Sequence, residues 1–333
     1  MSARPIFVMG CPRSGTTMLQ LMLHAHPRIA IPPETRFVLS GYAVRGRFGD
    51  LRKPGNLRAL ADWIFSEETK VADLGLDRDT VTAEIVAGPP TLGSAMGTVF
   101  RAYAHRFGRP RWGDKRPSYI HNVDVIRRLF PDAQIVTITR DGRDCVASLL
   151  EMPWHQDGIH KAISAWARAV DGARRAERLL DADSYFPLRY ESLVQDPETE
   201  LRRLCDFLGE EFDPAMTRPD RVASVAVPER KKWHVRTHAE VGDDRVGTWR
   251  DRLEPWQIAL CEDALGDRLA AEGYALSGIG TAPPAQRVRY ATVAARHRLG
   301  SVRRHAANVY HRVRPDTQLA NFPISPRDGA DRA

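Results

Sequence analysis

Short apolar runs closed by glycine or a turn pair alternate along this chain with stretches of helical spacing. Pro5-Ile-Phe-Val-Met9 is apolar almost throughout and ends at Gly10, the pattern of a strand buried on both faces. Between Thr17 and His24, Met18, Leu21 and Met22 recur at helical intervals. Strand, glycine-bearing loop and helix in that order open an α/β unit. Residues 56–107 read as mainly helical and carry no motif, so their expected part is to wall a pocket. Gln134–Thr139 is a second buried strand, introduced by the Pro131-Asp132 turn and followed by Arg140-Asp-Gly-Arg143; Val146, Leu149 and Leu150 then resume a helical period. A long helix is expected over about 159–180, and Phe186-Pro-Leu-Arg-Tyr190 reads as a third strand. Asp196-Pro197 supplies the cap and first-turn proline of a helix reaching Leu208. From Pro214 to Asp244 charge and proline replace any period, which predicts a long surface loop acting as a mobile lid. A helix over about 255–272 and the linker Gly278–Pro284 complete the body. The expected fold is α/β: a three-layer, P-loop-containing domain over residues 1–280, its central and mostly parallel sheet flanked by helices.

Beyond residue 280 a basic, helical tail is expected over 281–333. Val288, Thr292, Ala295, Leu299, Val302, Ala306, Val309 and Val313 follow alternating steps of four and three, which keeps one stripe on one side of a helix from about Gln286 to Val313. Gly300 breaks the stripe at a cost of about 1 kcal/mol relative to alanine. The predicted use of the stripe is docking onto the body or onto a second subunit in a homodimer, with the arginines facing water. Its shortage of Trp, Phe and Leu weighs against a membrane-surface helix.

Gly10-Cys-Pro-Arg-Ser-Gly-Thr-Thr17 has the G-x-x-x-x-G spacing of a phosphate-binding loop, in the strand-to-helix setting that gives the match meaning. Glycines let successive N–H groups converge on phosphate oxygens, and the helix start adds partial positive charge. A loop for Mg-ATP or Mg-GTP would place lysine where this chain has Thr16. With Arg13 inside it and Thr16 and Thr17 at its end, the loop suits a shorter, diester-like group.

These residues carry a resemblance. Pro12-Arg-Ser-Gly-Thr-Thr17 within Pro5–Pro27 is similar to the 5′-phosphosulfate loop of sulfotransferases that use 3′-phosphoadenosine-5′-phosphosulfate (PAPS). Ala25-His-Pro27 and Pro33-Glu-Thr-Arg36 resemble the branch that holds the tyrosylprotein sulfotransferases and bacterial relatives. Residues 135–148 resemble the family's 3′-phosphate motif; Gly113-Asp-Lys115, Tyr190-Glu191 and Arg245-Val-Gly-Thr-Trp249 fall in the family's order. The likeness covers about residues 5–275. It implies sulfuryl transfer from PAPS to a hydroxyl of a small-molecule or macromolecular acceptor, leaving adenosine 3′,5′-bisphosphate and requiring no metal. Arg13, Ser14, Gly15, Thr16 and Thr17 would hold the 5′-phosphosulfate; Arg140 and Ser148 would hold the 3′-phosphate. Tyr190, Arg245 and Gly247 would contact the nucleotide, while Trp249 reads as core packing. Glu34 is the candidate general base, with His121, His155 and His160 as alternatives. Lys115 would face the bridging oxygen of the leaving group, and Arg13 would share the charge of the transferred group. His234 and His238 stand four apart in the expected loop and are not read as a metal site.

Charge sharpens rather than changes this reading. The formal net charge is +7, yet eight arginines and no acid lie between Ala285 and Pro315, so the body without them is close to neutral and needs no nucleic-acid partner. No run approaches the roughly 18–20 apolar residues of a membrane span, and with an apolar strand expected from Pro5 no signal peptide is expected. Cys11, Cys145, Cys205 and Cys261 are far apart, which predicts reduced thiols and a cytoplasmic setting. Two rival readings remain: a P-loop kinase for a nucleoside or small molecule, disfavoured by Thr16 and the Arg140–Ser148 element, and a non-catalytic nucleotide-binding module.

Overall fold

The structure, a computed structural model, describes residues 3–222 and 242–313, with side chains as far as residue 300. Five strands, β1 (Ile6–Gly10), β2 (Ile29–Ala30), β3 (Arg111–Lys115), β4 (Gln134–Thr139) and β5 (Tyr185–Arg189), pair in the order β2-β3-β1-β4-β5. Every neighbouring pair is parallel, with Ile6 opposite Gly113 on one side of β1 and opposite Gln134 on the other. The helices are α1 (Thr16–Ala25), α2 (Phe37–Val44), α3 (Pro54–Ile64), α4 (Arg78–Ala87), α5 (Leu92–Arg106), α6 (Val123–Leu129) and α7 (Gly142–Leu150). They continue with α8 (Gly158–Leu179), α9 (Tyr190–Gln195), α10 (Pro197–Leu208), α11 (Trp249–Arg252), α12 (Pro255–Ala271) and α13 (Pro284–Val313).

The alternation of side chains along β1 builds the three layers. Phe7 and Met9 enter a core shared with α5, α8 and α12, while Ile6 and Val8 enter a second core with Leu19, Met22 and Leu23 of α1 and Leu201, Leu204 and Leu208 of α10. The Asp196 carboxylate accepts the Thr199 N–H at the start of α10, as the Asp-Pro pair predicts.

Three features depart from the pattern of the sequence. β3 carries Arg111, Gly113, Asp114 and Lys115, a polar run that shows no strand period, yet every residue is buried. Each charge there finds a partner: Arg111 donates to Glu210 at 3.0 Å and to the Leu208 carbonyl at 2.8 Å. Second, the opening of the expected loop forms two 3₁₀ turns, Pro214–Thr217 and Pro219–Val222, packed on α1. Most of the expected lid, with His234 and His238, lies outside the described residues. Third, the tail helix forms but presents the opposite face to the body. Gln286 meets His160 at 2.9 Å, His297 bonds Ser164, and Tyr290 packs on the core. Val288 and Leu299, from the predicted docking stripe, stand 66% and 67% exposed. Gln286, Tyr290 and His297, with Val293 beside them, face the body in place of the predicted stripe; the rest of the stripe from Val302 lies outside the described side chains.

Candidate functional site

The sheet order makes β1 the switch point, with β3 on one side and β4 on the other, so the loops after these three strands open onto one crevice. After β1 the chain turns through Arg13 at φ 73° and Gly15 at φ 98°. The left-handed region is costly for arginine, and such strain gathers at functional sites. The Ser14 N–H and hydroxyl both donate to the Cys11 carbonyl, at 3.1 and 2.7 Å, closing the turn. A Cβ on Gly15 would stand 2.6 Å from the Tyr190 ring, so glycine is required by space as well as by φ. Thr16 and Thr17 start α1, whose first N–H groups lack helical acceptors and carry the positive end of the helix.

Two guanidiniums meet beside this loop. Arg13 Nε donates to Ser148 Oγ at 2.9 Å, joining the loop to α7. Arg140, just past β4, donates to the Arg13 carbonyl at 3.2 Å and to the Arg245 carbonyl, and lies 4.6 Å over the Tyr190 ring. Burial and the neighbouring Arg140 hold the Arg13 guanidinium below its usual range. Asp144 approaches Arg140 at 3.7 Å, but Arg140 Nε is buried with no hydrogen-bond partner among the described residues. An orphaned charged donor in a cationic crevice fits a phosphate.

Asp144 also accepts the Gly247 N–H at 2.8 Å and the Trp249 N–H at 2.9 Å, fastening the 245–249 segment to α7. Gly247 therefore uses its N–H within the protein, and Trp249 is buried under Arg143, as its packing role predicts. The β4–α7 corner is fixed by Trp166, whose indole N–H donates to the Arg140 carbonyl at 2.9 Å while its ring covers Gly142.

At the end of β3, Lys115 Nζ lies 3.2 Å from Glu34 Oε2 and 3.4 Å from Thr17 Oγ1. The ammonium thus links the phosphate loop to the Glu34 carboxylate, whose side chain is one-third exposed and also lies 4.0 Å from Arg116. Under Lys115, buried Asp114 accepts the Lys115 N–H at 2.8 Å and the Tyr119 hydroxyl. Burial pushes the Asp114 carboxyl up to about 7, although those two bonds pull it down. The chemistry available is a carboxylate at a solvent-reachable edge, an ammonium beside it, and an anion pocket behind both.

The structure brings Arg13, Arg140, Ser148, Tyr190 and Arg245 together, and separately joins Thr17, Lys115 and Glu34. His160 bonds the tail helix, His155 bonds the Gly158 carbonyl, and His121 lines a cavity against α8. The sequence reading passed over Asp114, Asp144 and Glu191, whose carboxylate accepts the Asp141 N–H at 2.9 Å and the Tyr274 hydroxyl at 3.0 Å. Their only sequence signal is position inside motifs read for other residues.

The family described as "Sulfotransferase family" matches residues 5–214. Protein-tyrosine sulfotransferase 1 of Danio rerio is 28% identical over 228 residues, 66% of this chain and 57% of that protein. The Homo sapiens protein of the same name is 29% identical over 61% of this chain and 50% of its own length. The chain thus spans only about half the length of these relatives. Nodulation protein NoeE of Sinorhizobium fredii is 26% identical over 80% of this chain and 65% of that protein. The sulfotransferase domain of the Synechococcus PCC 7002 olefin synthase has a TM-score of 0.57 at 24% identity, covering 83% of this chain and 97% of that one. The sulfotransferase domain from the curacin biosynthetic pathway superposes with the same score at 18% identity. Both share the fold.

Proposed function

The chain belongs to the sulfotransferase family, and from that premise we propose that it transfers a sulfuryl group from PAPS to a hydroxyl of a small-molecule or macromolecular acceptor. The observation that carries this reading is the buried Arg140 Nε, without a hydrogen-bond partner among the described residues, beside Arg13 in a cationic crevice reached from the loop and from β4 alike. Arg140 and Ser148 would hold a 3′-phosphate, with Arg245 and Tyr190 at its border. The loop N–H groups, with Arg13, Thr16 and Thr17, would hold the 5′-phosphosulfate.

PAPS supplies the sulfuryl group and leaves as adenosine 3′,5′-bisphosphate. As the acceptor oxygen bonds to sulfur and the sulfur–phosphate oxygen bond breaks, Glu34 takes the acceptor's proton. Lys115 stands between Glu34 and Thr17, where its ammonium can orient the carboxylate and then neutralise charge on the departing oxygen. Loose transfer of this kind asks mainly for positioning and charge, which these residues offer.

The test is transfer of labelled sulfate from PAPS to a panel of sugar, phenol, lipid and peptide hydroxyls. One bisphosphate should form per acceptor labelled, and Glu34→Gln should lower turnover by about 100-fold while nucleotide affinity changes little. A Glu34→Gln enzyme with full turnover would move the base to another residue; no transfer to any hydroxyl class would end the proposal.

A further inference from the structure

Helix α13 docks with one face and turns the opposite one outward. At roughly 100° per residue, Gln286, Tyr290, Val293 and His297 share the face toward the body, and each is partly covered. Val288, Thr292, Ala295 and Leu299 fall on the other side of the helix, and all four are exposed. Arg289 and Arg296 flank this outward stripe on one edge, Arg287 and Arg298 on the other, each at roughly a right angle to its centre. All four arginines are exposed, and among the described residues Arg287 alone of the four has an ion pair within 4 Å, with Asp263 at 3.7 Å.

Exposed apolar side chains are otherwise scarce. Of six large ones among the described residues, Leu276, Ile279, Val288 and Leu299 lie between positions 276 and 299, on this helix and the linker before it. The stripe lacks the Trp and Phe of a strong interfacial helix, a composition that by itself weighs against one. It nonetheless faces water and is edged on both sides by arginines, the arrangement of a weak helix lying in the plane of an anionic bilayer surface and held largely by charge. The stripe enters the acyl boundary while the guanidiniums reach up to the headgroup phosphates. A second copy of this helix would set arginines against arginines, since no acid occurs between Ala285 and Pro315. A nucleic acid would satisfy the arginines and leave Val288 and Leu299 in water.

We propose that the outward face of α13 docks this protein on an anionic lipid bilayer, as an in-plane and reversible anchor. This does not depend on the identity of the donor or acceptor.

Full-length protein should co-sediment with phosphatidylglycerol-containing vesicles, not with pure phosphatidylcholine vesicles, and less so as salt is raised. The double variant V288E/L299E should bind about tenfold more weakly or worse with an unchanged melting temperature, because both side chains are already in water. Replacing Arg289 and Arg296 by glutamine should weaken binding to the anionic vesicles by a similar factor. Failure of the wild type to bind anionic vesicles, or equal binding by V288E/L299E, would overturn the proposal. So would a doubled mass in solution that V288E/L299E returns to a monomer, which assigns the stripe to a second copy. Binding of a DNA duplex in preference to the vesicles, unaffected by V288E/L299E, would assign the arginines to nucleic acid and overturn it equally.

Discussion

Asp114 is held without solvent by the Lys115 N–H and the Tyr119 hydroxyl, directly beneath the Lys115–Glu34 pair. Its folded-state value near 7 lies well above the roughly 3.9 of an unfolded aspartate. The folded chain therefore keeps this proton longer, and the group's contribution to stability is full below about pH 4 and is lost as pH rises through about 7. Urea midpoints at a series of pH values should show the advantage of wild type over Asp114→Asn shrinking across that window. A difference that stays flat, or grows toward pH 7, would mean that the carboxylate is ionised in the fold. At this scale the placement of Arg13 in the loop and of Arg140 just past β4 was legible, because loop spacing and strand-end position limit what they can reach, whereas Lys115 was marked by resemblance alone. Asp114, Asp144 and Glu191 were not legible. Each acts by accepting hydrogen bonds from groups brought in by other elements, such as Gly247 more than a hundred residues from Asp144.

Elements whose signal is local were read correctly: β1, β4, α8 and α10 follow apolar runs, periods and caps within their own sequence. β3 was missed because its side chains are satisfied by distant partners, Glu210 among them, so a buried strand looks polar. The tail shows a different limit. Periodicity identifies which positions share a helix face, but Tyr290, His297 and Gln286 decided which face the body takes. The phosphate loop allows a sharp test of element geometry. Gly15→Ala puts a Cβ 2.6 Å from Tyr190 at φ 98°, so stability should fall by about 1–3 kcal/mol and donor affinity should collapse with it. Unfolding curves and donor titrations that match wild type would show that the turn relaxes around Tyr190 without consequence.

Across the whole molecule, charge is distributed by task. The body is near neutral, with Arg13, Arg140 and Lys115 at a crevice at the carboxyl ends of the parallel strands, and the excess basic charge lies along α13. Among the described residues no helix is long and apolar enough to cross a membrane, so attachment by α13 would be at a surface. The central claim, that the crevice takes a nucleotide bearing a 3′-phosphate, can be tested without knowing the acceptor. Calorimetry without added Mg²⁺ should show adenosine 3′,5′-bisphosphate binding about tenfold or more tightly than AMP, the worth of charged hydrogen bonds from Arg140 and Ser148. Equal affinity for the two nucleotides, or preference for Mg-ATP over the bisphosphate, would contradict it.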